Sequence, residues 1–238
     1  MLPVSAENRS TESGSTIKSY VLRAGRGTNA QRRSYDSLAG QFLIPFEDRL
    51  MDFAAIFGND NPLTVEIGFG MGTATALIAA AQPEKNYLGI EVHKPGIGRL
   101  LWQIEQSSLY KSALGNIRII EHDAAAVFEQ MIPPESLEGI HLFFPDPWPK
   151  KRHHKRRLVK RPFTNTLAAR LKPHGYLYMV TDWEDYALWA LDELAATNGL
   201  VNSCEGFAPA QEWRPRTSFE QKGLAKNHTV RELFFYKS

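Results

Sequence analysis

One carboxylate, one indole and a dense run of cations stand close together in residues 140–157, which read IHLFFPDPWPKKRHHKRR. Asp146 and Trp148 alternate with Pro145, Pro147 and Pro149. Lys150, Lys151, Arg152, Lys155, Arg156 and Arg157 follow, with His153 and His154 inside the run. Proline lacks a backbone N–H and fixes φ, so the three prolines exclude both helix and central sheet and make a stiff, extended loop. The apolar run before them, Ile140, Leu142, Phe143 and Phe144, has the length of a buried strand. A strand that delivers an acid and an aromatic to a fixed point, beside concentrated positive charge, fits a reaction site for a polyanion. Taken alone, the run reads equally well as a solvated loop, and Pro-Asp-Pro as a turn. Position weighs for chemistry, because in open parallel sheets ligands bind beyond the carboxyl ends of the strands.

A second group of residues has the spacing of a nucleotide-type site. Val65-Glu66-Ile67-Gly68-Phe69-Gly70-Met71-Gly72 ends one predicted strand and opens a helix. Glycines at such a turn permit positive φ and close approach of backbone to a ligand, and the helix N-terminus that follows favours negative or polar groups. Glu91 ends the next strand about 20 residues on, where an acid typically holds the ribose hydroxyls of an adenosine. A dinucleotide needs its third glycine one position later, where this chain has Thr73. A carboxylate at Glu66 would repel a pyrophosphate but suits a cationic amino group, so S-adenosyl-L-methionine is favoured over NAD. Asp123, in Glu121-His122-Asp123-Ala124, can accept from the adenine amino group, cap a helix, or do both.

The elements that must position these groups alternate. Strands are predicted at 63–67, 87–92, 117–121, 140–144, 176–181 and 229–236, and helices near 73–81, 97–110, 124–131, 163–171 and 183–197. Helix between nearly every pair of short apolar strands predicts an α/β fold with a parallel sheet covered on both faces. The last strand follows a loop and is expected to insert antiparallel. Phe46, Leu50, Phe53, Ala54 and Phe57 fall on one helical face ended by Gly58, which reads as a packing helix. Residues 1–19 are polar and aperiodic and read as a disordered tail before a domain spanning 20–238. Within residues 20–40, Arg23, Arg26, Arg32 and Arg33 form a basic arm, either an element that orders on a polyanion or an ordinary soluble extension.

Composition bounds the rest. The 238 residues, 43% hydrophobic, can bury the core of one domain. No apolar run approaches a membrane span or a signal-peptide core, so a cytoplasmic protein is expected. The single cysteine, Cys204, excludes an internal disulfide and a cysteine-based zinc cluster, and no metal is expected. Net charge is only +2, so cationic character is local, which points to a directed nucleic-acid footprint.

The segments EIGFGMG, LGIEVHKPG, FFPDPWPKKRHHKRR, TDWEDYA and RPRTSFEQKG, in this order, closely resemble the bacterial tRNA (guanine-N7)-methyltransferases. The likeness runs from about residue 20 to the C-terminus. It implies a Rossmann-like class I methyltransferase fold, a seven-stranded mostly parallel sheet with a reversed final hairpin and helices on both faces. It also implies methylation of a variable-loop guanosine in tRNA with S-adenosyl-L-methionine as cofactor. On that resemblance the cofactor positions fall on Glu66, Glu91, Asp123 and Asp146, with Gly68, Gly70 and Gly72 forming the turn. Substrate-binding positions fall on Lys150, Asp182, Thr217, Ser218, Phe219 and Glu220, and RNA contacts on Lys151, Arg152, His153, His154, Lys155 and Arg156. Ser218 departs from the pattern, since many members carry Lys there.

Guanine N7 carries an in-plane lone pair and no proton, so its methylation requires positioning and no general base. The ring becomes cationic, and Asp146 is the expected stabilising carboxylate. Trp148 either stacks on a base or packs beneath the loop. His153 and His154 lack the orienting pattern of a catalytic pair and are expected to contact backbone or phosphate. Arg214, Arg216 and Lys222 are expected to extend the cationic rim, with Glu220 available to an amino group of the base. Three other classes compete: an NAD-dependent oxidoreductase, a methyltransferase of another RNA, and a noncatalytic RNA-binding module. Whether the chain is a monomer or a homodimer is open.

Overall fold

Strands buried on both faces must feed two separate apolar layers with alternate residues, and these do. Val65, Ile67, Leu88, Ile90, Ile140, Leu142, Leu177, Met179, Leu233 and Phe235 belong to one buried cluster. Tyr87, Ile117 and Ile119 belong to a second on the opposite face, and Tyr178, Val180 and Phe234 to a smaller third. The computed structural model describes residues 18–21, 25, 27–109, 114–217, 220, 221, 223, 225 and 228–238.

The strands are β1 (Leu63–Ile67), β2 (Asn86–Glu91), β3 (Ile117–Glu121), β4 (Leu137–Phe143), β5 (Leu171–Thr181), β6 (Leu200–Asn202) and β7 (Arg231–Lys237). They form one sheet in the order β3-β2-β1-β4-β5-β7-β6. β1 through β5 pair in parallel, and β7 inserts antiparallel between β5 and β6. This is the seven-stranded, mostly parallel α/β sheet expected. Helices α3 (Thr73–Ala81) and α4 (Lys94–Leu109) cover the face of the second cluster. Helices α5 (Ala124–Gln130), α6 (Phe163–Arg170) and α7 (Glu184–Ala195) cover the first. Chain order reverses at β1, whose neighbours β2 and β4 lie on either side of it, so a crevice opens beyond its carboxyl end.

Several expectations need correction. The region read as a basic arm holds a 14-residue helix, α1 (Asn29–Phe42). A reciprocal capping box starts it: the Thr28 hydroxyl accepts from the Gln31 N–H, and the Gln31 side chain accepts from the Thr28 N–H. Ser34 donates to Glu105 on α4, and Tyr35 donates to Glu121 at the end of β3. Burial, and then that bond to Glu121, push the Tyr35 hydroxyl up to about 12, so it stays a donor. The packing helix proposed around Phe46–Phe57 is a single turn, α2 (Phe53–Phe57), started by the Asp52 cap and stopped by Gly58. Before it the chain is extended: Ile44 donates to the Ile119 carbonyl, and Phe46 lies flat on His122. Strand β6 has no counterpart among the six strands predicted from the residue pattern and supplies the seventh that the resemblance implies, and β4 and β5 begin upstream of their predicted starts. The residues that make up most of the predicted disordered tail, 1–17, lie outside the described residues.

Candidate active site

The crevice is built first by glycine. Gly68, Gly70 and Gly72 all have φ between 57° and 72°, the left-handed region in which an L side chain is strained. The turn also needs Gly96 in α4, because a Cβ there would stand 2.0 Å from the Gly70 carbonyl oxygen. Glu91 then fastens the turn from the neighbouring strand. One carboxylate oxygen accepts the Gly70 N–H at 2.8 Å, and the other accepts those of Val92 and His93 at 2.7 and 2.9 Å. Glu66 sits behind the turn, buried, and accepts from the Thr75 hydroxyl at 2.7 Å. Burial pushes the Glu66 carboxyl up to about 7; the Thr75 bond works against this, and Glu91 adds to it. Asp123 caps α5, accepting the Ala125 and Ala126 N–H groups with one oxygen and leaving its second oxygen outside the cap.

Above the turn lies a cavity of about 520 Å³. Its wall contains Gly68, Gly70 and Met71 from the turn, Ile90, Glu91 and His93 from the end of β2, and His122 and Ala124 beyond β3. Phe144, Pro145 and Asp146 close it beyond β4, and Ser19, Tyr20 and Val21 cross its edge. The structure therefore brings the glycine turn, Glu91 and Asp146 to one cavity, with Asp123 flanked by two of its lining residues. Asp146 is solvent-exposed. The non-glycine residues Phe144 and Trp148 that bracket it have φ of 51° and 48°. Such strain persists only where the surroundings over-determine the backbone, and it gathers at functional sites.

What over-determines this loop is Arg157, read from sequence as one cation among six. It is 1% exposed. Its Nε donates to the Pro147 carbonyl at 3.0 Å, one Nη pairs with Asp185 on α7, and the guanidinium lies over the rings of Tyr186 and Trp189. The Arg157 hydrogen bond holds the Asp185 carboxyl below its ordinary value. The buried guanidinium thus ties the backbone next to Asp146 to a helix. Trp148 is anchored as well: its indole N–H donates to the Ser19 carbonyl, and Arg156 stacks 4.2 Å above its ring. Arg156 also donates to the Lys18 and Tyr20 carbonyls. Of the two readings of Trp148, packing is the one this geometry displays.

Residues Lys151–Arg156 form a 3₁₀ turn. Lys150, Lys151, Arg152 and Lys155 are exposed on it. His153 meets the edge of Trp148, and its pKa is lowered by partial desolvation and then by Arg152, Lys150, Arg156 and Lys155. His154 packs against Trp189 and Arg157. Asp182, at the end of β5, is paired with His228 at 3.0 Å, a partner that was not foreseen. The Thr217 hydroxyl accepts the Glu220 N–H.

Two late-loop expectations fail. Arg214 is not on the rim: it is buried, gripping Glu220 with two bonds of 2.6 and 2.8 Å and Glu232 with one of 2.9 Å. Burial works to lower its pKa, but the hydrogen bond to Glu220, the electrostatic interaction with Tyr178 and the bond to Glu232 outweigh this and raise it. Glu220 is likewise engaged with Arg214 and is not left open to a base. Arg216 is exposed. Ser218, Phe219 and Lys222 lie outside the described residues.

The sheet order, the glycine turn clasped by an acid from β2, and the crevice at the chain reversal define a Rossmann-like class I methyltransferase domain. Residues 60–233 match the family model described as putative methyltransferase. The chain is 51% identical over 221 residues to the tRNA (guanine-N(7)-)-methyltransferase of Nitrosospira multiformis, covering 93% of this chain and 94% of that protein. It is also 51% identical to the protein of the same description from Nitrosomonas eutropha, covering 93% and 97%. The chain belongs to the tRNA (guanine-N(7)-)-methyltransferase family. Among solved structures it is similar in fold to the 16S rRNA methyltransferase KamB, with a TM-score of 0.55 at 13% identity over 91% of this chain and 96% of that one. The 16S rRNA (adenine(1408)-N(1))-methyltransferase of Catenulisporales acidiphilia gives 0.54 at 16% identity, over 80% and 96%. Among the described residues no helix is long and apolar enough to cross a membrane.

Proposed function

We propose that this protein transfers a methyl group from S-adenosyl-L-methionine to N7 of a variable-loop guanosine in tRNA. The observation that carries the reading is the placement of Asp146, on the wall of the same cavity as the glycine turn and directly before the exposed cations of the 3₁₀ turn. When bound, the cofactor supplies an electrophilic methyl group on a positively charged sulfur. The residues present fit it. A carboxylate offers about four lone-pair directions, and Glu91 uses three on Gly70, Val92 and His93, leaving one for a ribose hydroxyl. The second oxygen of Asp123 accepts from the adenine amino group, and Glu66, buried off the cavity wall and bonded to Thr75, supports the turn and in its ionised form attracts a cationic amine.

Because guanine N7 has no proton, no residue has to remove one. The chain contributes orientation and charge. Asp146 accepts from the N1–H and amino group of guanine and stabilises the positive charge that develops on the ring. Lys150, Lys151, Arg152 and Lys155 neutralise phosphates, and Asp182, held by His228, stands at the adjacent strand end as a second acceptor. The site works in the cytoplasm on tRNA and uses no metal.

The test is chemical. Bulk tRNA methylated by the purified protein is reduced with borohydride and cleaved with aniline, a treatment selective for 7-methylguanosine. Cleavage at the variable loop is expected. Labelled tRNA that resists aniline would place the methyl on another atom.

A further inference from the structure

His122 stands immediately before the Asp123 cap, beyond the end of β3, and forms part of the cavity wall. Phe46 lies flat against its ring, with centroids 3.7 Å apart and planes within 6°. That stack is held in place by the extended segment before α2, where Ile44 donates to the Ile119 carbonyl at 2.8 Å. The ring is therefore fixed by a neighbour that offers no hydrogen bond. Its Nδ1 is buried and has no hydrogen-bond partner among the described residues.

A ring used only for packing would be expected to be carbocyclic, since a buried nitrogen without a partner is destabilising. The cheaper tautomer leaves Nδ1 bare, because an orphan acceptor is less costly than an orphan N–H. The proton is then on Nε2. With Nδ1 enclosed, Nε2–H is the polar group the ring has left to offer the cavity that His122 lines. Glu91, two strand ends from Asp146, marks the ribose end of the cavity, so the moiety over β3 is the base. Adenine offers ring nitrogens as acceptors there.

We infer that His122 is a cofactor-binding residue that donates Nε2–H to a ring nitrogen of the adenine, with Phe46 fixing its orientation. The inference rests on the cofactor reading above and adds a residue to it. Phe46 is a positioning residue in this scheme.

Calorimetry with S-adenosylhomocysteine tests it, using the full-length chain. His122→Phe keeps the stack on Phe46 and loses the donor. It should raise Kd about three- to tenfold, the range for one neutral hydrogen bond, while the melting temperature without ligand holds or rises. Analogues in which N1, N3 or N7 of adenine is replaced by carbon identify the acceptor. One of them should bind the wild type weakly by the same factor and lose nothing further in His122→Phe. His122→Gln, which keeps a donor, should recover part of the affinity, and it substitutes if the Phe variant does not fold. Equal affinity of wild type and His122→Phe, or full affinity of the wild type for all three analogues, overturns the inference. A variant with lowered melting temperature and unchanged Kd would make His122 structural. Failure of the wild type to bind S-adenosylhomocysteine at all would instead refute the cofactor reading.

Discussion

Glu66 can be tested without any substrate. Its carboxyl is fully buried behind the glycine turn and is pushed by that burial from 4.5 to about 7. Between those pH values the folded chain keeps a proton that the unfolded chain has released. Raising the pH through this window therefore lowers stability, and above 7 the whole penalty is present. At about 1.4 kcal/mol for each pH unit, the loss attributable to this group is about 3 kcal/mol. Glu66→Gln keeps an acceptor for Thr75 and carries no charge. At pH 8 it should be more stable than the wild type by up to about 3 kcal/mol, or about 6–12 °C in Tm for a domain of this size. At pH 4 the two should converge. The same substitution should weaken S-adenosylhomocysteine binding by about tenfold or more, since a hydrogen bond to a charged group contributes about 1.5–3 kcal/mol. Urea titrations of both proteins at pH 4, 6 and 8, with calorimetry at pH 8, decide the matter. Parallel stability profiles for the two proteins would refute the electrostatic argument. Gained stability with unchanged affinity would leave Glu66 as a support of the turn and remove it from the cofactor site.

Asp146→Ala should lose most single-turnover activity yet bind tRNA with nearly wild-type affinity in filter binding. The wild-type rate should show no limb near neutrality, because guanine N7 has no proton to surrender, and a steep limb there that vanishes in Asp146→Asn would make Asp146 a general base. Replacing the exposed Lys151, Arg152 and Lys155 with Ala should flatten the slope of log affinity for tRNA against log salt by about 2–3, as expected for three phosphate contacts; an unchanged slope would mean a solvated loop. Arg156 is left out of that set because it holds the Lys18 and Tyr20 carbonyls. Arg157→Gln should cost about 1.5–3 kcal/mol in urea denaturation and lower turnover through the Pro147 carbonyl while sparing cofactor affinity. Arg214→Met leaves Glu220 and Glu232 buried without their cation and should cost about 3–5 kcal/mol at pH 8. Urea denaturation curves of the two proteins at that pH would show it.

What the sequence disclosed and what it hid follow from how each element is stabilised. Strands β1, β2 and β3 stand out because each carries a short set of apolar core residues, Leu63, Val65 and Ile67, then Tyr87, Leu88 and Ile90, then Ile117, Ile119 and Ile120. The glycine turn and the three prolines are legible because their backbone demands exclude most other residues. Helix α1 escaped notice because it presents only a narrow apolar stripe, and Arg32 and Arg33 dominate its composition; its one local signal was the Thr28 and Gln31 capping box. β6 has three residues, too few for any period. The roles of the cations were beyond local reading for a different reason. Arg157 and Arg156 are adjacent and chemically identical, yet one is enclosed between Tyr186, Trp189 and Asp185 and the other lies on Trp148. The 3₁₀ turn sets which residue points inward, and that depends on where Pro147 and α7 stand. Arg214 and Glu220 are six residues apart and meet only because the loop folds over Tyr178 and Glu232. A charge run in sequence therefore reports that positive potential is needed near a site, while tertiary packing decides which of its members is exposed to carry that potential and which is enclosed to hold the site's shape.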